Sequence, residues 1–327
     1  MPKDLIQTPV LDANESAFFA RELEFIKARS YDVKYPELKA TRLIPVSTDA
    51  GSGAASITYE QYDTVGIFKV ISNYGNDLPR ADVKGEQFTV DVKSLGGSYG
   101  YNLQEIREAQ MAGKPLTQRK ANAARRGNDQ KVERIAWSAY AADNINGGLV
   151  GLLYNPNIPS SAVGAGASSG HTLWINAGTP ANVKTPTEIV KDMSDARQDV
   201  ISTTNGVEVP DTMLMDYDHF GLISNTRMST GTDTTVKEFF LRNNPGMTIE
   251  PVIQMGAVNP KPSGGAGPID IFMVYVKSPD HLTLELPQPF EQLPVEKRGL
   301  EFVVDCHSRI GGVIIYYPLS INIKEGI

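Results

Sequence analysis

The sequence predicts an α+β fold: an extended pair of strands feeding a long helix, then a compact α/β unit and a run of closing strands. Three observations carry this. Residues 56–95 alternate as strands around a long polar tip, residues 103–143 hold a helical apolar stripe with a basic flank, and residues 187–294 interleave helical stripes with short apolar strands. The strand pair and its helix have little core of their own. They must lie on something, and a neighbouring copy of the same chain is the most available partner.

Composition narrows the class. The 327 residues suffice for two compact units or for one core with appendages. With 41% hydrophobic and 21% charged residues, the mixture is that of a globular chain and unlike a disordered one. A formal charge of -7 gives no overall attraction to nucleic acid, which argues against DNA or RNA binding as the main task. Cys306 is the sole cysteine and has no internal disulfide partner, so a reducing compartment such as a cytoplasm is expected. Met1–Gln7 is too polar for a signal peptide, and no window approaches the roughly 20 apolar residues that span a bilayer.

The first 40 residues resemble an arm. Asn14 or Ser16 can cap a helix through Arg29 whose apolar face is Phe18, Phe19, Leu23, Phe25 and Ile26, with Thr8-Pro9 and Tyr35-Pro36 as extended flanks. A short strand is expected at Arg42–Val46. The first long strand takes Ile57, Tyr59, Tyr62, Val65, Ile67, Phe68, Val70 and Ile71. The second alternates Phe88, Val90 and Val92 with Thr89, Asp91 and Lys93, which means that one face is meant to be covered. Between them, residues 72–85 form a polar tip too long for a tight turn, since hairpin loops usually have about 2–5 residues.

Asn102 is the expected cap of the long helix, with Glu105 completing a capping box. The helix is interrupted at Gly113-Lys114-Pro115, restarts at Thr117 and runs to about Asp143, its inward stripe being Ala121, Ala124, Val132, Ile135, Ala136, Ala139 and Tyr140. A glycine-rich break, residues 146–153, follows. In the α/β unit, helices are expected at Thr187–Thr203, Asp218–Thr226 and Val236–Leu241, and strands at Thr212–Met215, Thr248–Ile253 and Ile269–Val276. Leu300–Ile323 is almost pure strand and is expected to return beside the long helix.

No catalytic, cofactor-binding or metal-binding constellation emerges. His171, His219, His281 and His307 lie far apart without metal-ligand spacing. Asp216, Asp218 and His219 are the nearest approach to a site, yet residues of this kind at a strand end more often cap helices. Asp305-Cys306-His307 places a thiol beside an imidazole, but neighbours on a strand point to opposite faces, which favours a buried structural cysteine. The glycine-rich loop 164–170 lacks the strand before and helix directly after that a dinucleotide cradle needs.

The order of parts resembles the major capsid proteins of tailed bacteriophages, the Hong Kong 97 fold shared with encapsulin shells. The residues that carry the resemblance are Ile57-Thr58-Tyr59-Glu60-Gln61-Tyr62-Asp63 entering the extended loop and Gly85-Glu86-Gln87-Phe88-Thr89-Val90-Asp91-Val92-Lys93 leaving it. The long helix and Asn144-Ile145-Asn146-Gly147-Gly148-Leu149-Val150-Gly151-Leu152-Leu153 complete it. The resemblance implies an N-terminal arm (1–40), an extended loop (56–95), a peripheral domain (41–55 and 96–186) with spine helix 103–143, an axial domain (187–294) and strands 295–327 returning to the peripheral domain.

It also implies a subunit that assembles through hexamers and pentamers into an icosahedral head shell around phage double-stranded DNA, in the virion, built in the bacterial host cytoplasm. A separate scaffolding protein or none is implied, portal and decoration proteins are further partners it leaves open, DNA contact is expected to be weak and non-specific, and no membrane or cofactor is expected. Some relatives cross-link covalently. Lys69 and Lys84 lie on the loop here, but no acceptor matches, so cross-linking is not expected.

Charge points the same way. Residues 56–92 hold six acidic residues (Glu60, Asp63, Asp77, Asp82, Glu86, Asp91) against three basic (Lys69, Arg80, Lys84), whereas residues 103–137 hold eight basic against four acidic. The expected inter-subunit contacts are Glu60, Asp77, Arg80, Asp82, Lys84 and Glu86 of the loop, Arg119, Lys120, Arg125 and Arg126 of the helix, and Phe18 and Phe19 of the arm. Two other readings stay open: an encapsulin-type shell housing a cargo enzyme, and a soluble α/β enzyme using Asp216, Asp218 and His219.

Overall fold

The structure, a computed structural model, describes residues 34–65, 82–113, 116–139, 146–175, 182–258, 260–264 and 267–327. The chain divides after Glu37. Of the first unit, residues 34–37 are described, and they are exposed and irregular. The expected arm helix with Phe18 and Phe19 lies outside the described residues.

The second unit opens with a correction. Instead of a strand at Arg42–Val46, the chain forms helix α1 (Ala40–Leu43) and only then a short strand, β1 (Val46–Ser47). The cause is Glu133, whose buried carboxylate accepts the Lys39 N–H at 3.0 Å, the Ala40 N–H at 2.8 Å and the Trp137 indole N–H at 2.8 Å. An external carboxylate thus satisfies the orphan donors at the start of α1, while Ala40 and Leu43 enter the core.

Next come β2 (Ser56–Val65), β3 (Asp82–Asp91) and β4 (Lys93–Asn102). β3 begins earlier than expected, so Lys84 and Gly85 belong to the strand and not to the polar tip. β4 was not expected at all. β2 and β3 pair antiparallel from Ser56 opposite Asp91 to Val65 opposite Asp82, and the Val92 N–H continues that ladder to the Ala55 carbonyl at 2.9 Å. Residues 82–102 therefore form one long extended ribbon, with β2 along one edge of its first half. A different strand, introduced below, lies along the opposite edge of its second half.

Two helices follow where one interrupted helix was expected: α2 (Leu103–Ala112) and α3 (Leu116–Ser138). Asn102 caps α2 as anticipated, its side chain accepting the Glu105 N–H at 2.7 Å while Glu105 accepts the Asn102 N–H at 3.1 Å. α3 ends at Ser138, and just past it the Ala139 carbonyl accepts the Gly151 N–H at 2.8 Å; the rest of the expected helix, residues 140–143, lies outside the described residues. Gly151 lies so close to the end of α3 that a Cβ there would sit 2.6 Å from the Ile135 carbonyl oxygen. That contact explains the glycine-rich break.

The remaining elements are β5 (Ser160–Ala162), α4 (Pro186–Thr203), β6 (Thr212–Met215), α5 (Tyr217–Asn225), α6 (Val236–Asn243), β7 (Thr248–Pro251) and β8 (Ile271–Tyr275). Six more strands close the chain: β9 (Leu282–Glu285), β10 (Gln288–Gln292), β11 (Glu296–Arg298), β12 (Glu301–Ile310), β13 (Gly312–Ile315) and β14 (Ile321–Glu325). A five-stranded sheet has the order β5-β14-β8-β6-β7, and β1, β9 and β13 form a three-stranded sheet. β12 pairs with β4 from Glu301 opposite Asn102 to Ile310 opposite Lys93, and carries β10 and β11 on its other edge. The returning strands thus divide. β12 lies beside the long helix as expected, whereas β14 enters the middle of the α/β sheet.

That sheet is buried on both faces and separates two cores. Leu214, Ile271, Met273, Tyr275, Ile321 and Ile323 face a core shared with Ile135, Trp137, Leu152 and Leu284. Met213, Met215, Phe272 and Val274 face the other, shared with Ile189, Met193, Val200 and Phe240. Period-two alternation between two apolar sides gives the unbroken apolar runs Thr212–Met215 and Ile271–Tyr275. Because one sheet serves both cores, Leu38–Ile327 packs as a single unit.

Candidate functional site

The hairpin of β2 and β3 is anchored at its base and bare beyond it. Tyr59 stacks on Phe88, directly opposite on β3, with ring centroids 5.2 Å apart, and meets Tyr316 edge-on at 5.0 Å. Its hydroxyl donates to the Ile315 carbonyl at 3.4 Å. Ile57 packs against Gly311. Outward from there Glu60, Gln61, Lys84, Gly85, Glu86 and Gln87 are all exposed, as are Tyr62 at 64% and Val83 at 59%. Tyr62 lies over Gly85 across the ladder and bonds Glu60 through its hydroxyl. A two-stranded hairpin with both faces in water is marginal by itself. It calls for a cover.

The basic helix is more selective than the sequence suggested. Arg119 and Arg125 are exposed on α3 and Arg126 is half-buried. Lys120 is engaged within the chain: its ammonium donates to the Gly100 carbonyl at 2.8 Å and to Glu105 at 3.0 Å, tying α3 to the cap of α2. That bond, with the Asn102 N–H second, holds the Glu105 carboxyl below the usual carboxylate range. Among the expected loop residues, Glu60, Lys84 and Glu86 project from the hairpin. Asp82 opens β3 opposite Val65. Asp77 and Arg80 lie outside the described residues.

The residues considered for chemistry have structural work instead. Asp216 caps α5, its side chain accepting the Asp218 N–H at 3.2 Å. His219 points inward, 2% exposed, against the Trp174 ring, and burial holds its imidazole below the ordinary value. The soluble-enzyme reading loses its site, because His219 is buried in the core while Asp218 is exposed and Asp216 is engaged as the cap of α5. Cys306 is buried on the face of β12 toward α3 while His307 is half-exposed on the other, so the thiol is raised by burial first and Asp305 second. Among the described residues no group of three or more His, Cys, Asp or Glu could hold a metal, and no helix is long and apolar enough to cross a membrane.

The glycine-rich loop 164–170 does cradle an anion, one supplied by the chain itself. Glu188 accepts the N–H groups of Ser168 at 2.7 Å, Ser169 at 3.0 Å and Thr185 at 2.9 Å, and the Thr185 hydroxyl at 2.8 Å. These bonds, Ser169 foremost, hold its carboxyl far below the usual range. Gly166 leaves the room, since a Cβ there would collide with the carboxylate. Sequence reasoning missed both Glu188 and Glu133. For Glu133 the signal was an acid set within the inward stripe Val132, Ile135 and Ala136.

The family model for major capsid proteins matches residues 66–327. No curated protein matches the chain. Among solved structures, the capsid of Myoviridae phage XM1 superposes with a TM-score of 0.77 at 17% identity, covering 95% of this chain and 99% of that one. The capsid of a native GTA particle gives 0.62 at 10% identity over 94% and 96%. A Gordonia phage Cozz chain gives 0.61 at 11% identity over 100% and 99%.

Proposed function

The chain belongs to the major capsid protein family, and we propose that its copies assemble through the bare hairpin into the icosahedral head shell that encloses phage double-stranded DNA. It is a structural, shell-forming protein of the Hong Kong 97 fold and not an enzyme. The finer assignments belong to the proposal: hexamers and pentamers, assembly in the bacterial cytoplasm, scaffolding, portal and decoration partners, and weak DNA contact. So does the division into arm, extended loop, spine helix, peripheral domain and axial domain. The observation that carries it is the hairpin Ser56–Val65/Asp82–Asp91, held to the body at Tyr59 and uncovered beyond it.

The acidic hairpin lies over the basic α3 of a neighbour, where Arg119 and Arg125 are the exposed partners. Buried apolar area supplies most of the affinity, and charge selects register. Each exposed pair contributes only about 0–1 kcal/mol, but a closed shell repeats it at every subunit. Reversing Asp77, Asp82 and Glu86 to Lys is the test. The variant should remain folded by circular dichroism yet form few particles in negative-stain images, and a normal particle yield would remove charge from the account.

A further inference from the structure

Resting on that shell reading, we infer that the outer edge of β4, with the groove beside it, is a strand-pairing site for the hairpin of a second copy. β4 bonds β12 through alternate residues. The Leu103 N–H, which donates to the Leu300 carbonyl at 3.0 Å, fixes the phase, so the odd-numbered residues of β4 face β12. The backbone N–H and C=O groups of Ser94, Gly96 and Ser98 point the other way. Among the described residues no strand pairs with that edge.

Exposed edges are usually blunted by charge, proline or a bulge. β4 has no proline, and Lys93 at its start is its one charged residue. The edge is open by composition as well as by pairing.

A groove of about 460 Å³ runs between β4 and α3, lined by Gly96, Gly97, Ala124, Gly127, Lys131 and Cys306 among others. It exists because the facing positions lack side chains, and a Cβ added at Gly97 would meet nothing within 4 Å. An edge with unpaired backbone groups beside a row of missing side chains is the arrangement of strand addition. Main-chain bonds give affinity and alternate side chains fall into the groove.

The hairpin of a second copy fits as occupant on three counts. Its strands match β4 at ten residues each. Among the described residues no third strand pairs with the outer edge of β2. Its exposed Glu60 and Glu86 suit a groove lined by Lys131 and flanked on α3 by exposed Arg119 and Arg134.

Hydrogen–deuterium exchange on assembled particles and on dissociated subunits tests this directly. The Ser94, Gly96 and Ser98 amides should exchange freely in subunits and at least tenfold more slowly in particles. Gly97→Leu, which fills the groove, and Ser98→Pro, which removes one outward donor, should keep the subunit's melting temperature while lowering particle yield at least tenfold. Ser98→Ala should assemble normally. If these amides exchange equally fast in both states while hairpin amides become protected, the hairpin docks elsewhere: the strand-pairing site is wrong and the shell reading stands. If no particles form and the hairpin stays unprotected at any concentration, both fall.

Discussion

Replacing Tyr59 by alanine should free the hairpin from the body without unfolding the body. The side chain makes two ring contacts, the stack on Phe88 at 5.2 Å and the edge contact to Tyr316 at 5.0 Å. Each is worth about 0.5–1.5 kcal/mol, so losing both costs about 2 kcal/mol. The Tyr316 contact docks the hairpin and the Phe88 stack closes its own ladder, so the two together correspond to roughly a thirtyfold shift from a docked, closed hairpin to an undocked, open one. Tyr59→Phe keeps both ring contacts and loses only the 3.4 Å hydroxyl bond, a change of at most about 0.5 kcal/mol.

Hydrogen exchange of dissociated subunits reads the difference. Amides of residues 56–65 and 82–91 should exchange about thirtyfold faster in the alanine variant and nearly as in the parent in the phenylalanine variant, while those of β6 and β8 stay unchanged. Alanine variant exchange equal to the parent's across the hairpin would show that Tyr59 does not anchor it. Loss of protection throughout the body would show that the hairpin is part of the global fold and not an appendage.

Other outcomes follow from particular contacts. Glu133→Ala strands two backbone donors and the Trp137 indole in the core and should cost about 3–5 kcal/mol in urea denaturation; stability within about 0.5 kcal/mol of the parent would contradict the clamp. Gly151→Val forces side-chain atoms against the Ile135 carbonyl and should destabilise by at least about 1–3 kcal/mol, visible as a lower melting temperature. His219 sits neutral in the fold with a depressed pKa, so the unfolded chain binds its proton first as pH falls. Its contribution is full well above about pH 6.5 and is lost progressively below it; His219→Gln should flatten the fall in stability below about pH 6.5, and an unchanged slope would assign the acid sensitivity elsewhere.

Much of the fold was legible because local signals were strong. Asn102 and Glu105 announce a helix start, Pro186 opens α4, and the alternation of Phe88, Val90 and Val92 marks a strand whatever its partner. β4 was hidden because Gly96, Gly97 and Gly100 weaken strand propensity, and its pairing with β12 joins residues some two hundred positions apart. α1 was misjudged for a similar reason: its cap is Glu133, far along the chain and invisible in its own neighbourhood. At the interface, composition revealed the acidic hairpin and basic helix, but not that Lys120 is already committed to Gly100 and Glu105. Charge pattern tells which surface is basic; only packing tells which cations remain outward.

The most direct measurement is the mass of the purified full chain by light scattering, with electron microscopy of the same sample. Closed particles of megadalton mass, in which each hairpin lies on an adjacent subunit, are the expected result. A monodisperse monomer at every concentration, its hairpin folded against its own α3, would contradict the account.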